Sequence, residues 1–173
     1  MCNNLVSNLK TFLKYIIRFY MNIVKRIDQY NENNIYFCEP IKNNIMNEGS
    51  FIRIIYSTPQ FILNGIYLLI ILNDVFCEKY YNKYKCCFNV NAHADILDSL
   101  KKIEENILRK IDVKNKTPQY KIFEQLQSGN IKIFNDVHVK TNCVFTLKIS
   151  GIWETQTSYG LTYKFIKIVN HQF

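Results

Sequence analysis

Glycine and proline are scarce, at five and three residues in a chain of 173. That scarcity excludes a fibrous repeat or a long low-complexity linker, and no internal repeat is visible. Long apolar runs are also missing near the start, where Lys10, Lys14 and Arg18 interrupt the first apolar stretch. No span approaches the roughly 20 apolar residues that a membrane-crossing helix needs, and the same cations argue against a cleavable signal peptide. The six cysteines (Cys2, Cys38, Cys77, Cys86, Cys87, Cys143) contain no C-x-x-C pair. Adjacent Cys86 and Cys87 are poorly placed to ligate one tetrahedral zinc. The expectation is a reduced, intracellular protein with buried thiols and no metal.

Catalytic signatures are absent as well. There is no G-x-x-x-x-G-K, no G-x-S-x-G and no paired metal-binding carboxylate motif. His93-Ala94-Asp95 and His138-Val139-Lys140-Thr141 do not repeat each other in spacing or residue type, as paired phosphodiesterase motifs would. Glu104-Glu105 is assigned to a solvated helix face. No catalytic centre and no cofactor are expected.

What the chain has is apolar, aromatic and basic. Hydrophobic residues make up 48%, of which aromatics supply 14% of the chain, enough for a packed core. Twenty-two Lys and Arg oppose 14 Asp and Glu, a formal charge of +8. An excess of this size suits a phosphate backbone or an anionic membrane surface without choosing between them.

Two parts are expected. Residues 1–30 read as an amphipathic helix over 5–30, with Leu5, Leu9, Phe12, Leu13, Ile16, Ile17, Tyr20, Ile23, Val24 and Ile27 recurring at helical spacing. Such a stripe docks on its own domain or on a second copy through residues 5–27; association with a membrane surface is the less favoured use. After the polar stretch 31–34, residues 31–173 read as a β-rich α+β domain. Short strands are expected at 35–38, 51–56, 61–63 and 66–72, with Asn64-Gly65 as a hairpin turn and the continuously apolar Ile66–Leu72 buried on both faces. A strand at 85–91 places Cys86, Phe88 and Val90 on one face. A helix follows at 94–111, then an ambiguous segment at 120–126 and a strand at 131–134. The chain closes with strands 144–153 and 160–169. In these two, Phe145, Leu147, Ile149, Leu161, Tyr163 and Phe165 alternate with Thr146, Lys148, Ser150, Thr162 and Lys164. One face can enter a core while the other presents lysines. Several strands, one packed helix and a closing hairpin match an OB-like β-barrel in count and order.

Phe51-Ile-Arg-Ile-Ile-Tyr56-Ser57 with Asn64-Gly65-Ile66-Tyr67 resembles the early strands of single-stranded DNA-binding proteins of large DNA viruses, themselves similar to a phage OB-fold replication protein. Ile149-Ser-Gly151-Ile152-Trp153-Glu154, followed by Tyr159-Gly160-Leu161-Thr162-Tyr163-Lys164, resembles their final hairpin. The likeness spans roughly residues 35–169. It implies an OB fold and sequence-tolerant coating of single-stranded DNA during viral replication or recombination. It further implies an infected cell as the setting and replication proteins as partners. Many such proteins carry an acidic C-terminal tail, whereas this sequence ends Lys167-Ile-Val-Asn-His-Gln-Phe173.

Single-strand binding needs cations along the phosphates and aromatic faces for the bases. The residues nominated are Arg53, Tyr56, Lys83, Lys85, Phe88, Lys148, Trp153, Tyr159, Tyr163 and Lys164. The parity of Tyr163 with Leu161 and Phe165 favours burial for that ring, and the turn position of Tyr159 favours exposure. A second reading stays open: a β-rich interaction protein whose N-terminal helix mediates assembly or membrane-surface association. So does a degenerate OB-like module without DNA affinity.

Overall fold

The computed structural model describes residues 23–43, 49–111, 113, 115–134 and 143–168. Residues 5–22 of the expected N-terminal helix lie outside them. From Lys25 the chain is not α-helical. Strand β1 (Lys25–Arg26) pairs in parallel with a later strand at Leu68 and Leu69, and a 3₁₀ turn follows at Ile27–Gln29. Val24 is buried, so the last residues of the apolar stripe belong to the sheet and its core.

The remaining strands are β2 (Ile35–Phe37), β3 (Ile41–Lys42), β4 (Ser50–Ser57), β5 (Ile62–Asn64), β6 (Ile66–Leu72), β7 (Phe76–Tyr80), β8 (Lys83–Cys87), β9 (Thr117–Gln119), β10 (Asn130–Ile133), β11 (Cys143–Glu154) and β12 (Ser158–Ile168). Helix α1 (Ala94–Arg109) precedes β9, and α2 (Lys121–Gln127) resolves the ambiguous segment as helix. The architecture is β-rich α+β. The larger sheet runs β1-β6-β11-β12-β9, with β4 also on β11 and carrying β2, β3 and β5; the smaller runs β10-β8-β7. The described strands form open sheets rather than the closed barrel expected.

The long β11–β12 hairpin organises the larger sheet. On its other edge β11 has two partners in succession, β6 along Cys143–Ile149 and β4 along Gly151–Glu154. A register shift between Ile149 and Gly151 marks the changeover, leaving Ser150 as the extra residue of a bulge. Gly65 lies at the same junction. There the chain leaves β4, which β5 pairs, and joins β11 as β6. Its φ is +106°, and a Cβ on it would lie 2.5 Å from Ile149 O. Asn64-Gly65 is therefore a swing between two partner strands and not the expected hairpin turn. The hairpin reversal falls at 58–61, where Thr58 N donates to Phe61 O at 2.9 Å.

The core lies on one face of this sheet. Ile66, Leu68, Ile70, Phe145, Leu147, Ile149 and Phe165 are buried there, covered by Leu97, Leu100, Ile103, Ile107 and Leu108 of α1. Burial in β6 alternates, and Ile71 is half exposed, so the expectation of burial on both faces is corrected.

Glu104 corrects another expectation. It stands four residues after Leu100 and four before Leu108, inside the apolar stripe of α1, and is fully buried. Its carboxylate accepts from Ile122 N at 3.0 Å and Phe123 N at 2.9 Å, satisfying donors that the start of α2 would otherwise leave unpaired. Burial pushes its pKa up to about 7.

Cys77 and Cys86 face each other across β7 and β8 and are joined as a disulfide, which corrects the expectation that all thiols are reduced. His93 closes a 3₁₀ turn directly before α1 and is buried, its ring edge-on to Phe88 and its Nε2 3.3 Å from Asn73 O.

Candidate nucleic-acid interface

Opposed residues of antiparallel strands share a face, so the registers of β4, β11, β12 and β6 define the surface opposite the core. One row is Phe51–Trp153–Gly160 and the next is Arg53–Gly151–Thr162. Beyond the bulge comes Tyr67–Lys148–Lys164. Arg53, Thr162 and Lys164 are exposed, whereas Phe51, Tyr67, Lys148 and Trp153 are half-buried. None of these positions is acidic.

Two glycines let the aromatic rings lie flat. A Cβ on Gly160 would meet Trp153 Cζ2 at 2.8 Å, and one on Gly151 would meet Phe51 Cζ at 2.5 Å. The indole thus lies against the backbone of β12 and the phenyl ring against that of β11, and both residues are half-buried. Lys148 Nζ stands 5.0 Å from the Tyr67 ring centroid, a cation held against an aromatic face. The neighbouring carboxylate, Glu154, is turned to structural use. It accepts from Ser50 Oγ at 2.7 Å and pairs with Lys116. The hydrogen bond from Lys116, with that from Ser50, holds its carboxyl below the usual range.

The nominated residues separate into three groups. Arg53, Lys148, Trp153 and Lys164 lie together on this face. Lys83, Lys85 and Tyr163 line a different cleft, between the smaller sheet and α2 with β12. Tyr56, Phe88 and Tyr159 are buried and offer no ring face to a base. The reasons are local. Tyr56 points inward, where its hydroxyl oxygen accepts from Asn31 N at 3.2 Å and Asn34 Nδ2 at 3.3 Å. Phe88 packs on His93. Tyr159 occupies the strand position next to Gly160, and its alternation with Gly160 turns it to the core side; burial raises its phenol pKa.

Sequence reasoning missed Phe51 and Tyr67. Phe51 shares strand parity with Arg53, a signal that was available. Tyr67 lies inside the apolar run 66–72, where burial alternation is not visible from composition. Among the described residues there is no cluster of His, Cys, Asp and Glu able to hold a metal ion, and no helix is long and apolar enough to cross a membrane. Compared with known proteins, the chain matches no family model, no curated protein and no solved structure.

Proposed function

We propose that this protein binds single-stranded DNA without sequence preference, through the outer face of the β4–β11–β12 sheet, and catalyses nothing. The observation that carries the reading is one surface presenting Trp153 and Phe51 flat over glycines, beside Arg53, Lys148 and Lys164. Rings of this kind stack on unpaired bases at about 1–3 kcal/mol per base, while the cations track phosphates. A flat face of half-buried rings suits bases that are already unstacked, and a duplex does not present them. An OB-like kinship of the fold belongs to the same proposal. Its support is the junction where β11 changes partner from β6 to β4. A role in viral DNA replication or recombination, alongside replication proteins in an infected cell, rests on the resemblance of 149–154 and 159–164 to the final hairpin of viral single-stranded DNA-binding proteins.

Trp153 is the only tryptophan, so its emission reports the site directly. Titration with oligo-dT is expected to quench it, with weaker binding of a duplex of equal length. Three cations on the face set a log–log salt slope of about −2, at roughly 0.7 per phosphate neutralised on a single strand. Equal affinity for both forms, or an affinity indifferent to salt, overturns the proposal.

A second reading has its own observation. Farther along the same face, Leu69, Val144, Ile166 and Ile168 are half-buried, and Ile71 is half exposed. This apolar end fits an assembly contact, including one made by the N-terminal segment. Removing residues 1–22 separates the readings: strand binding survives the deletion if it belongs to the sheet face, and self-association is lost if it belongs to the segment.

A further inference from the structure

Behind β12, on the side opposite Lys164, a cleft of about 650 Å³ opens between the smaller sheet and α2. Local rules place its cations. Lys83 and Lys85 stand two apart on β8 and so share a side of the strand, Lys132 is the register partner of Lys85 on β10, and Lys121 is the first residue of α2. Tyr84 and Tyr163 complete the wall. The Tyr163 hydroxyl is 2.9 Å from Lys121 O and 2.8 Å from Gln125 Oε1, which fixes that ring against α2. Burial, with Glu104 and Glu124 nearby, pushes its phenol pKa up to about 12, so it serves as a neutral ring and not as an added negative charge.

The charge is one-sided. Four lysines line the cleft against one lining carboxylate, Glu124, which is itself paired with Lys121 at 2.7 Å. Lys85 faces Lys132 on β10, which like-charge repulsion disfavours, and Glu78 on β7, which offsets part of it. Lys83 Nζ rests over the Phe134 ring, 4.7 Å from its centroid, and Lys121 on Glu124; both are exposed contacts that a multiply charged anion lining up with the four lysines would replace. The volume falls within the range of about 300–1,000 Å³ typical of sites that enclose one small molecule, which is too small for a duplex. Tyrosine walls beside the lysines suit a planar ring next to the phosphates.

We propose that this cleft is a second, phosphate-directed site taking a nucleotide moiety with two or three phosphates. It lies across β12 from the sheet face and does not depend on the reading of that face. The same chemistry could come from a free nucleoside triphosphate or from consecutive phosphates of a bound strand that turns around β12.

The test uses the full chain with dTTP, inorganic tripolyphosphate and a 20-nucleotide oligo-dT as probes. Two double variants are compared, Lys83→Ala/Lys132→Ala in the cleft and Arg53→Ala/Lys164→Ala on the face. All four positions are exposed, and unchanged circular dichroism checks that the fold persists. Binding of dTTP and tripolyphosphate is expected to weaken about tenfold or more in the cleft variant, through loss of charge-assisted hydrogen bonds, and to stay unchanged in the face variant. If a strand is the occupant, oligo-dT displaces dTTP, and the cleft variant makes the oligo-dT salt slope shallower by about 1.4, because two phosphates are no longer neutralised. If a free nucleotide is the occupant, both probes bind together. A folded cleft variant that binds all three probes like the parent chain overturns the inference. Loss of oligo-dT binding in the face variant alone bears on the sheet face and leaves the cleft standing.

Discussion

Trp153 lies across Gly160, its cross-strand partner in the closing hairpin, so closely that a single added methyl on the glycine would sit 2.8 Å from Cζ2. The same methyl would approach Gln119 O at 2.9 Å, and that backbone oxygen, held in the β9–β12 pairing, cannot swing away as a side chain could. Gly160→Ala is therefore expected to tilt the indole off the sheet and to cost about 1–3 kcal/mol, the usual range for forced overpacking. The check is twofold: a shifted tryptophan emission maximum and a lower denaturation midpoint. An emission spectrum identical to that of the parent would show that the ring does not rest on this glycine.

Gly65 carries a different constraint. With φ at +106° and Ile149 O at 2.5 Å from a would-be Cβ, any side chain must push β6 off β11 where the chain changes partner. Gly65→Ala is expected to destabilise the protein by at least about 2 kcal/mol, combining a left-handed conformation with a backbone clash. Urea unfolding measures it, and a loss below about 0.5 kcal/mol, the scale of ordinary surface changes, would contradict the junction as described.

Glu104 links stability to pH. Its folded pKa is raised from 4.5 to about 7 because burial penalises the charged form, although the two α2 amides oppose that shift. A raised folded pKa means that the native state binds the proton more tightly than the unfolded chain does. Its contribution is thus fully present below about pH 4.5 and is lost as pH rises through 7, by at most about 3 kcal/mol. Glu104→Gln, which cannot titrate, is expected to flatten the fall in stability between pH 5 and 7. Glu105→Gln, one position along the same helix and only half-buried, is expected to retain it. Parallel slopes in both variants would assign the pH dependence elsewhere.

Tyr163 braces α2 against β12 through its hydroxyl, the only atom that Tyr163→Phe removes. The expected loss is about 0.5–1.5 kcal/mol for the hydrogen bond, with more if Gln125, half-buried beside it, is left without a partner. Thermal unfolding checks this, and dTTP affinity in the same variant should fall only slightly, because the ring remains in place.

The parts of this protein that follow a local period were legible without a structure. The alternation of Phe145, Leu147 and Ile149 with Lys148, and of Leu161 and Phe165 with Thr162 and Lys164, identified the closing hairpin and its two faces, because a strand sends successive side chains to opposite sides. The stripe from Ile96 to Leu108 identified α1 for the corresponding helical reason. Period alone could not say what covers each face. Tyr67 and Ile71 looked like core because they stand in an apolar run, but strand alternation turns them to the face opposite buried Ile66, Leu68, Ile70 and Leu72. Glu104 looked solvated beside Glu105, until α2 brought two amides to its carboxylate. Gly65 looked like a turn because positive φ is the only local signal it sends, and the strand it had to clear lies far along the chain. The cleft is the extreme case. Its lysines come from three separate elements, β8, β10 and α2, and no spacing along the chain announces that folding will set them around one volume.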